Sequence, residues 1–174
     1  MDELLDIVDE SDQTTGQTKS KKDIHRDGDY HRAAHMWIYN DLGEILFQLR
    51  SHTKDLYPGL WDITGGHVGA GETYLGAAVR ELQEELGIAA SPTDLELLFN
   101  QRDPVVQREF QQVFLLGYNG GIQTLRLQAE EVLDARFFTV QELRDQLADK
   151  DRRRIFCPVP KYYLNVINMI EQRL

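Results

Sequence analysis

The sequence has very little cysteine: Cys157 is the only one in 174 residues, so an intrachain disulfide is excluded. That usage is typical of a reducing compartment, and we expect a cytoplasmic location. Long apolar runs are also missing, since none approaches the roughly 20 residues of a membrane-spanning helix. The opening stretch MDELLDIVDE is acidic and lacks the basic and apolar segments of a secretion signal. We therefore expect neither secretion nor contact with a membrane.

Positive charge is scarce as well, because 19 Lys and Arg stand against 29 Asp and Glu, a net charge of −10. A general nucleic-acid-binding protein needs a basic face, so this class is disfavoured. An anionic substrate would have to be attracted by local cations or by a metal ion. A hydrophobic content of 41% and a charged content of 28% are those of a soluble globular protein.

The hydrophobic pattern predicts one α/β domain over residues 1–174, with strands interspersed among helices. Its core is expected at about 30–150, preceded by a strand and loop at 1–29 and followed by a C-terminal helix within 151–174. Residues Ser11 to Lys22 are polar and are predicted as turn and loop. The predicted strands are Leu4–Val8, His31–Tyr39, Ile45–Leu49, Trp61–Ile63, Leu95–Phe99, Phe110–Tyr118 and Ala135–Phe138. The predicted helices start after the N-cap Thr73 and end at Gly87, and cover Val140–Leu147 and Tyr162–Arg173.

Three glutamates, Glu81, Glu84 and Glu85, follow one another closely in the helix after Thr73. Residues three and four apart are neighbours on a helix, so these carboxylates form one acidic face and repel one another. A hard cation such as Mg²⁺, or Mn²⁺, would remove the repulsion and could bind substrate phosphates as well. The same pattern is also typical of a solvated face of an amphipathic helix.

The surrounding stretch GHVGAGETYLGAAVRELQEELGI resembles the Nudix box, G-x5-E-x7-R-E-U-x-E-E-x-G-U with U apolar. The matching positions are Gly66, Glu72, Arg80, Glu81, Leu82, Glu84, Glu85, Gly87 and Ile88. The resemblance implies an α/β/α sandwich with a mixed sheet, and a hydrolase that cleaves a nucleoside diphosphate linked to another group, or a related diphosphate.

In that family, the metal ligands would be the Gly66 carbonyl, Glu81, Glu84 and Glu85. Arg80 would fix carboxylate orientation by pairing with Glu72 or Glu84, and the base would be Glu81 or Glu84. A Nudix-fold protein that binds without hydrolysis is a further alternative, although such proteins typically lose box carboxylates and this chain retains all of them.

The sequence around the box also resembles isopentenyl-diphosphate isomerase, through LLDIVDE…TGQ, a histidine-containing strand entry before Trp37, and LYPGLWD. This resemblance implies a second metal site at His25, His31, His67 and Glu109, while Gln107 stands where that family has another acid. The isomerase places an acidic thiol in a Cys-Gly-His context, which here reads Gly65-Gly66-His67. Protonating an alkene needs a positioned acid, and glycine offers none, so hydrolysis is favoured over isomerisation.

Substrate recognition is expected outside the box. Arg50 and Lys54 are the leading candidates for holding phosphate, with Tyr57, Trp61 and Phe110 as candidates for a ring or an apolar group. The stretch DRRRIFCP is also basic, but a solvated turn explains its composition equally well. Nucleotide sugars, dinucleotides, nucleoside triphosphates and isoprenoid diphosphates all remain candidate substrates. The sequence does not determine the oligomeric state, and a homodimer is one candidate.

Overall fold

The computed structural model describes residues 3–103 and 108–173. Within these ranges the strands are β1 (Leu4–Val8), β2 (Thr14–Ser20), β3 (His31–Tyr39), β4 (Glu44–Arg50), β5 (Trp61–Asp62), β6 (Thr64–His67), β7 (Leu95–Asp103), β8 (Glu109–Gly117) and β9 (Val132–Thr139). The helices are α1 (Lys21–Asp27), α2 (Tyr74–Leu86), α3 (Val140–Ala148) and α4 (Pro160–Glu171). Short 3₁₀ turns occupy Pro92–Asp94, Ile122–Thr124 and Arg152–Ile155.

Each predicted strand and helix has a counterpart, with ends that differ by a few residues. The prediction of loop over Ser11–Lys22 is wrong, because β2 covers Thr14–Ser20 and α1 starts at Lys21. Strand β2 is exposed over most of its length and therefore has no buried face that would require apolar residues. Its sequence lacks the alternation of apolar and polar residues by which a strand is predicted. Gln107 lies outside the described residues.

The described part of the chain divides into two compact units, and the first comprises residues 3–36, 65–83, 89–103 and 108–115. In it, β1 pairs antiparallel with β2, with Leu4 opposite Ser20 and Asp6 opposite Thr18. The backbone of β1 also reaches residues 68–73, the loop between β6 and α2, which we call the box loop. There Leu5 forms a β-bridge with Gly69, and the Ala70 N–H donates to the Leu4 carbonyl at 2.8 Å. Strand β1 therefore holds the box loop by backbone contacts.

The second unit comprises residues 37–64, 84–88 and 116–173. In it, β4 pairs antiparallel with the end of β3, with β5 and with β9, in registers that place Ile38 opposite Leu46 and Ile45 opposite Phe138. Its core is rich in aromatic rings in edge-to-face contact. The Phe47 ring lies 5.3 Å from that of Tyr163, centroid to centroid, and 5.5 Å from that of Phe156.

Helix α2 begins and ends where its sequence predicts. The Thr73 hydroxyl accepts from the Gly76 N–H at 3.0 Å, which caps the first turn. At the other end Gly87 has φ +69°, and the Arg126 N–H donates to the Leu86 carbonyl at 2.9 Å. Buried Ala77, Ala78, Leu82 and Leu86 form its apolar side.

The fold class is α/β with a mixed β-sheet, as predicted. Among the described residues, no helix is long and apolar enough to cross a membrane.

Candidate metal and active site

In the first unit, Arg80 of α2 organises two box carboxylates. Its guanidinium donates to both Glu72 oxygens, at 3.1 and 3.0 Å, and to Glu81 Oε1 at 2.8 Å. It also donates to the His67 carbonyl at 3.0 Å. The planar fork of arginine suits such a set of oxygens, so Arg80 fixes the orientation of Glu81 and ties α2 to the end of β6.

The Glu72 carboxylate accepts hydrogen bonds from two different residues. Besides Arg80, the Gly69 N–H donates to Glu72 Oε2 at 2.9 Å. Burial acts to raise the pKa of Glu72, but the hydrogen bonds from Arg80 and from Gly69 outweigh burial and hold that pKa below its usual range. Glu72 therefore remains an anion that keeps Arg80 in place.

Gly66 leaves room for the Glu81 carboxylate. A Cβ at position 66 would lie 2.1 Å from the Glu81 carboxyl carbon and from Oε1, which is far inside van der Waals contact. The position therefore excludes every side chain while Glu81 keeps its orientation, and it brings the backbone of β6 close to a buried carboxylate.

In the second unit, Glu85 lies almost wholly buried, 2% exposed, at the end of α2. Gln48 of β4 donates to Glu85 Oε2 at 2.8 Å, and the Thr64 hydroxyl donates to Gln48 Oε1 at 3.2 Å. Lys54 Nζ lies 3.9 Å from Glu85 Oε1 and also contacts the Glu131 carboxylate. Burial raises the pKa of Glu85, opposed by Gln48 and by the Lys54 charge, so a cation here would stabilise its ionised form.

Glu84 is the exposed member of the three helix glutamates, whereas Glu81 and Glu85 are buried. All three belong to one continuous helix, at the three- and four-residue spacing that the sequence predicts for a shared face. Oxygen donors of this kind suit Mg²⁺ or Mn²⁺.

A second set of metal-ligating side chains lies in the first unit. We call His25, His31, His67 and Glu109 the histidine cluster. Ligand atoms of the three histidines all lie within 4.8 Å of one another, and His25 Nε2 is 3.3 Å from His31 Nε2. Glu109 Oε2 lies 3.8 Å from His31 Nε2 and 3.9 Å from His67 Nε2. The structure thus brings together all four residues that the sequence grouped.

His31 is fully buried, and burial lowers its pKa to about 4. Its Nδ1 lies 3.1 Å from the Asp29 carbonyl, which suits an Nδ1–H donor. In that tautomer the lone pair is on Nε2, the atom that faces His25 and Glu109, and a neutral imidazole of this kind is what metal coordination needs.

The two cations predicted to hold phosphate already have protein partners. Arg50 donates twice to the Leu56 carbonyl, at 3.1 and 2.9 Å, and its guanidinium lies 3.4 Å from Asp62 Oδ2. It therefore holds the loop after β4. Lys54 lies beside Glu85 and Glu131, so its ammonium group pairs with a carboxylate at the C-terminal end of α2.

Sequence reasoning missed the side chains that support these carboxylates. Gln48 was detectable in principle, because it is a lone amide within the apolar run Ile45–Leu49 and is 1% exposed. A buried polar group needs a partner, and Glu85 is that partner. The Lys54–Glu131 contact has no local signal, since 77 residues separate the two.

An α/β fold with a complete box that runs from β6 through the box loop and α2 to Ile88 is what a Nudix protein has, and the NUDIX domain family model matches residues 29–157. The chain belongs to this family. Nudix hydrolase 3 of Arabidopsis thaliana is 36% identical over 183 residues, which cover 99% of this chain and 24% of that protein. The chain thus spans about a quarter of that relative's length.

Two further comparisons bear on the fold and on the isomerase resemblance. The isopentenyl-diphosphate Δ-isomerase of Streptomyces avermitilis is 33% identical over 174 residues, covering 95% of this chain and 82% of that protein. The crystal structure of DR0079 from Deinococcus radiodurans superimposes with a TM-score of 0.70 at 25% identity, covering 89% of this chain and all of that one.

Proposed function

We propose that this protein hydrolyses a phosphoanhydride bond in a small organic diphosphate, such as a nucleoside diphosphate linked to another group, with Mg²⁺ or Mn²⁺ as cofactor. The observation that carries the proposal is the Arg80 network, which fixes Glu72 and Glu81 while Gly66 leaves the space a Cβ would fill. A solvated acidic face would not need that network. Membership of the Nudix family and similarity to a relative named a Nudix hydrolase support the same reaction.

The donor set fits a hard divalent cation. Glu81, Glu84 and Glu85 would hold it, together with the Gly66 carbonyl. Such a cation would neutralise charge on the phosphate oxygens and lower the pKa of a bound water.

The remaining residues position these groups. Arg80 holds Glu81 through a 2.8 Å hydrogen bond, and Gln48 holds Glu85 through another of the same length. Lys54 offsets negative charge beside Glu85 and, together with Arg50, is proposed to meet the substrate phosphates. Glu81 or Glu84 would take the proton from the attacking water; Glu84 has the better access to solvent.

Activity should be screened over nucleotide sugars, dinucleotides, nucleoside triphosphates and isoprenoid diphosphates, reading phosphate and pyrophosphate release with Mg²⁺ or Mn²⁺. We expect at least one anhydride to be hydrolysed, with activity abolished by EDTA and restored by added metal. On that substrate, Glu84→Gln and Glu85→Gln should each lower kcat by at least about 100-fold, because each removes charge where the cation would bind.

Glu96→Gln is the matched control, because Glu96 is an exposed carboxylate on β7. It should keep full activity, and all three variants should keep the wild-type melting temperature. Full activity of both box variants on a confirmed substrate would refute the site.

Isomerisation is the second candidate function, favoured by the 33% identity to the Streptomyces avermitilis isomerase. Against it, Gly65 stands where the isomerase family has its cysteine, and Cys157 is buried within the second unit. Incubation of isopentenyl diphosphate in heavy water, followed by NMR, separates the two functions. We expect no deuterium incorporation, whereas turnover on the order of 1 s⁻¹ would establish an isomerase.

We also propose that the histidine cluster binds a transition metal, Zn²⁺ or Mn²⁺. Three imidazoles and one carboxylate suit these ions better than Mg²⁺, which prefers oxygen ligands. The proposal is supported by the short distances among the ligand atoms of the three histidines, which all lie within 4.8 Å of one another.

The metal content of the purified protein tests this proposal by elemental analysis. We expect about one equivalent of Zn²⁺ or Mn²⁺, lost in His67→Gln and retained in His52→Gln, whose histidine is exposed and outside the cluster. Equal metal content in the two variants, or none in the wild type after reconstitution, would show that the cluster is not a metal site.

A further inference from the structure

A cavity of about 560 Å³ in the second unit is built by the loop after β4 and by residues 147–160. This size lies within the range of small-molecule sites. Its lining contains neither Glu84 nor Glu85. We propose that this cavity is a separate binding site for an organic phosphate whose other part is a ring or a hydrocarbon group.

Basic side chains argue for the phosphate. Lys150, Arg153 and Arg154 line the cavity. Five of the twelve residues from 150 to 161 are basic and one is acidic, in a chain whose net charge is −10. Asp151 pairs with Arg154 at 3.2 Å, and the Asp149 carboxylate lies near enough to Arg152 and Arg153 for their charges to help lower its pKa. Among the described residues, no carboxylate lies within ion-pair distance of Lys150 or Arg153. Positive charge is thus concentrated at the cavity against the overall field of the protein.

The start of α4 adds a second anion-binding feature. Pro160, the first residue of α4, lines the cavity, and no side chain within the described ranges caps this helix. The first N–H groups of a helix lack intrahelical acceptors and carry partial positive charge, so a phosphate is stabilised there. Helix and guanidinium donors together favour phosphate, because it offers several acceptor oxygens.

The rest of the lining argues for an apolar or ring moiety. Tyr57, Leu60, Phe156 and Pro158 provide carbon-rich walls. Tyr57 has φ +54°, a left-handed conformation that a ring-bearing residue rarely adopts and that is often found at ligand sites. Arg50 holds this loop through its two hydrogen bonds to the Leu56 carbonyl, which restrain the backbone that carries the Tyr57 ring.

Binding of 1-naphthyl phosphate, measured by isothermal titration calorimetry in EDTA at low salt, tests the proposal. EDTA removes metal-dependent phosphate binding, so the result does not depend on the proposed hydrolysis. We expect a dissociation constant below about 1 mM, with at least about tenfold weaker binding of inorganic phosphate, 1-naphthol and 1-naphthoate.

Three variants assign that binding to the cavity. Arg153→Gln should weaken it roughly tenfold, whereas Arg152→Gln, the same charge change in the same turn outside the lining, should not. Tyr57→Gly removes the ring at a backbone conformation that glycine adopts easily, so binding should weaken roughly threefold to tenfold without loss of melting temperature.

Absence of binding would overturn the proposal. So would equal losses in Arg152→Gln and Arg153→Gln, which would show diffuse charge attraction. Comparable affinity for inorganic phosphate would exclude the apolar subsite, and comparable affinity for 1-naphthoate would exclude phosphate selectivity.

Discussion

Gly66 shows how a residue without a side chain sets the geometry of this site. Its carbonyl is a proposed ligand, and its missing Cβ leaves the space beside the Glu81 carboxylate. The box pattern alone requires glycine here, but only the structure shows that Glu81 is the group that a side chain would displace. Its φ lies outside the left-handed region, so alanine would not strain the backbone.

We predict that Gly66→Ala lowers hydrolytic activity by at least about tenfold and raises the Mg²⁺ concentration needed for half-maximal rate, because Glu81 must rotate away. The melting temperature should change little. Gly117→Ala is the control, since its added Cβ would meet Tyr39 at 3.6 Å, an ordinary contact. Unchanged metal dependence in Gly66→Ala would contradict the orientation assigned to Glu81.

The sequence predicts the box residues by their spacing, but not the side chains that support them. Glu81, Glu84 and Glu85 follow from helical periodicity, and the histidine grouping followed from resemblance. Gln48 and Glu131 depend on contacts between distant segments, and local pattern carries no information on which distant group will satisfy a buried amide or a lysine.

At the scale of elements, local chemistry explains α2 well and the first hairpin poorly. The Thr73 cap and the Gly87 stop are both local signals, and both are present in the structure. The sequence does not predict strand β2, because backbone groups make its pairing with β1. Its exposed side chains do not show the alternation of apolar and polar residues that is typical of a strand.

The end of α2 yields a stability prediction. Gly87→Ala should destabilise the protein by about 1–3 kcal/mol, because φ +69° disfavours a Cβ, which would also approach the Arg126 Cβ to 2.7 Å. Gly16→Ala separates the two causes: Gly16 has φ +76° and nothing within 4 Å of the added carbon. Urea unfolding should show a smaller decrease in the free energy of unfolding for Gly16→Ala. Equal decreases in the two variants would mean that Arg126 moves away from the added carbon at no cost.

At the scale of the whole molecule, several buried acids of high pKa limit stability in alkali. Burial raises the pKa of the Cys157 thiol above its ordinary 9.0, and raises the pKa values of the Tyr162 and Tyr163 phenols above their ordinary 10.0. The Asp62 charge near Cys157 and Tyr163 acts in the same direction.

Above those ordinary values the unfolded chain loses protons that the folded protein keeps, so the free energy of unfolding falls as pH rises. We predict a melting temperature that is steady up to about pH 8.5 and falls steeply by about pH 10.5. Each group contributes up to about 1.4 kcal/mol per pH unit. Cys157→Ala should reduce the slope just above pH 9, and a flat profile would show that these groups ionise in the folded protein.

The docking of β1 against the box loop also affects local unfolding. The Ala70 N–H donates to the Leu4 carbonyl, and the Gly71 N–H donates to Asp6 Oδ2 at 2.9 Å. If the first hairpin opens, these two loop amides open with it, and they should exchange with deuterium at the same rate as the Val8 amide, which donates to the Tyr30 carbonyl. The loop that presents Glu72 to Arg80 then forms one cooperative opening unit with a strand more than sixty residues away, and the rate at which that unit opens sets how long the site stays assembled.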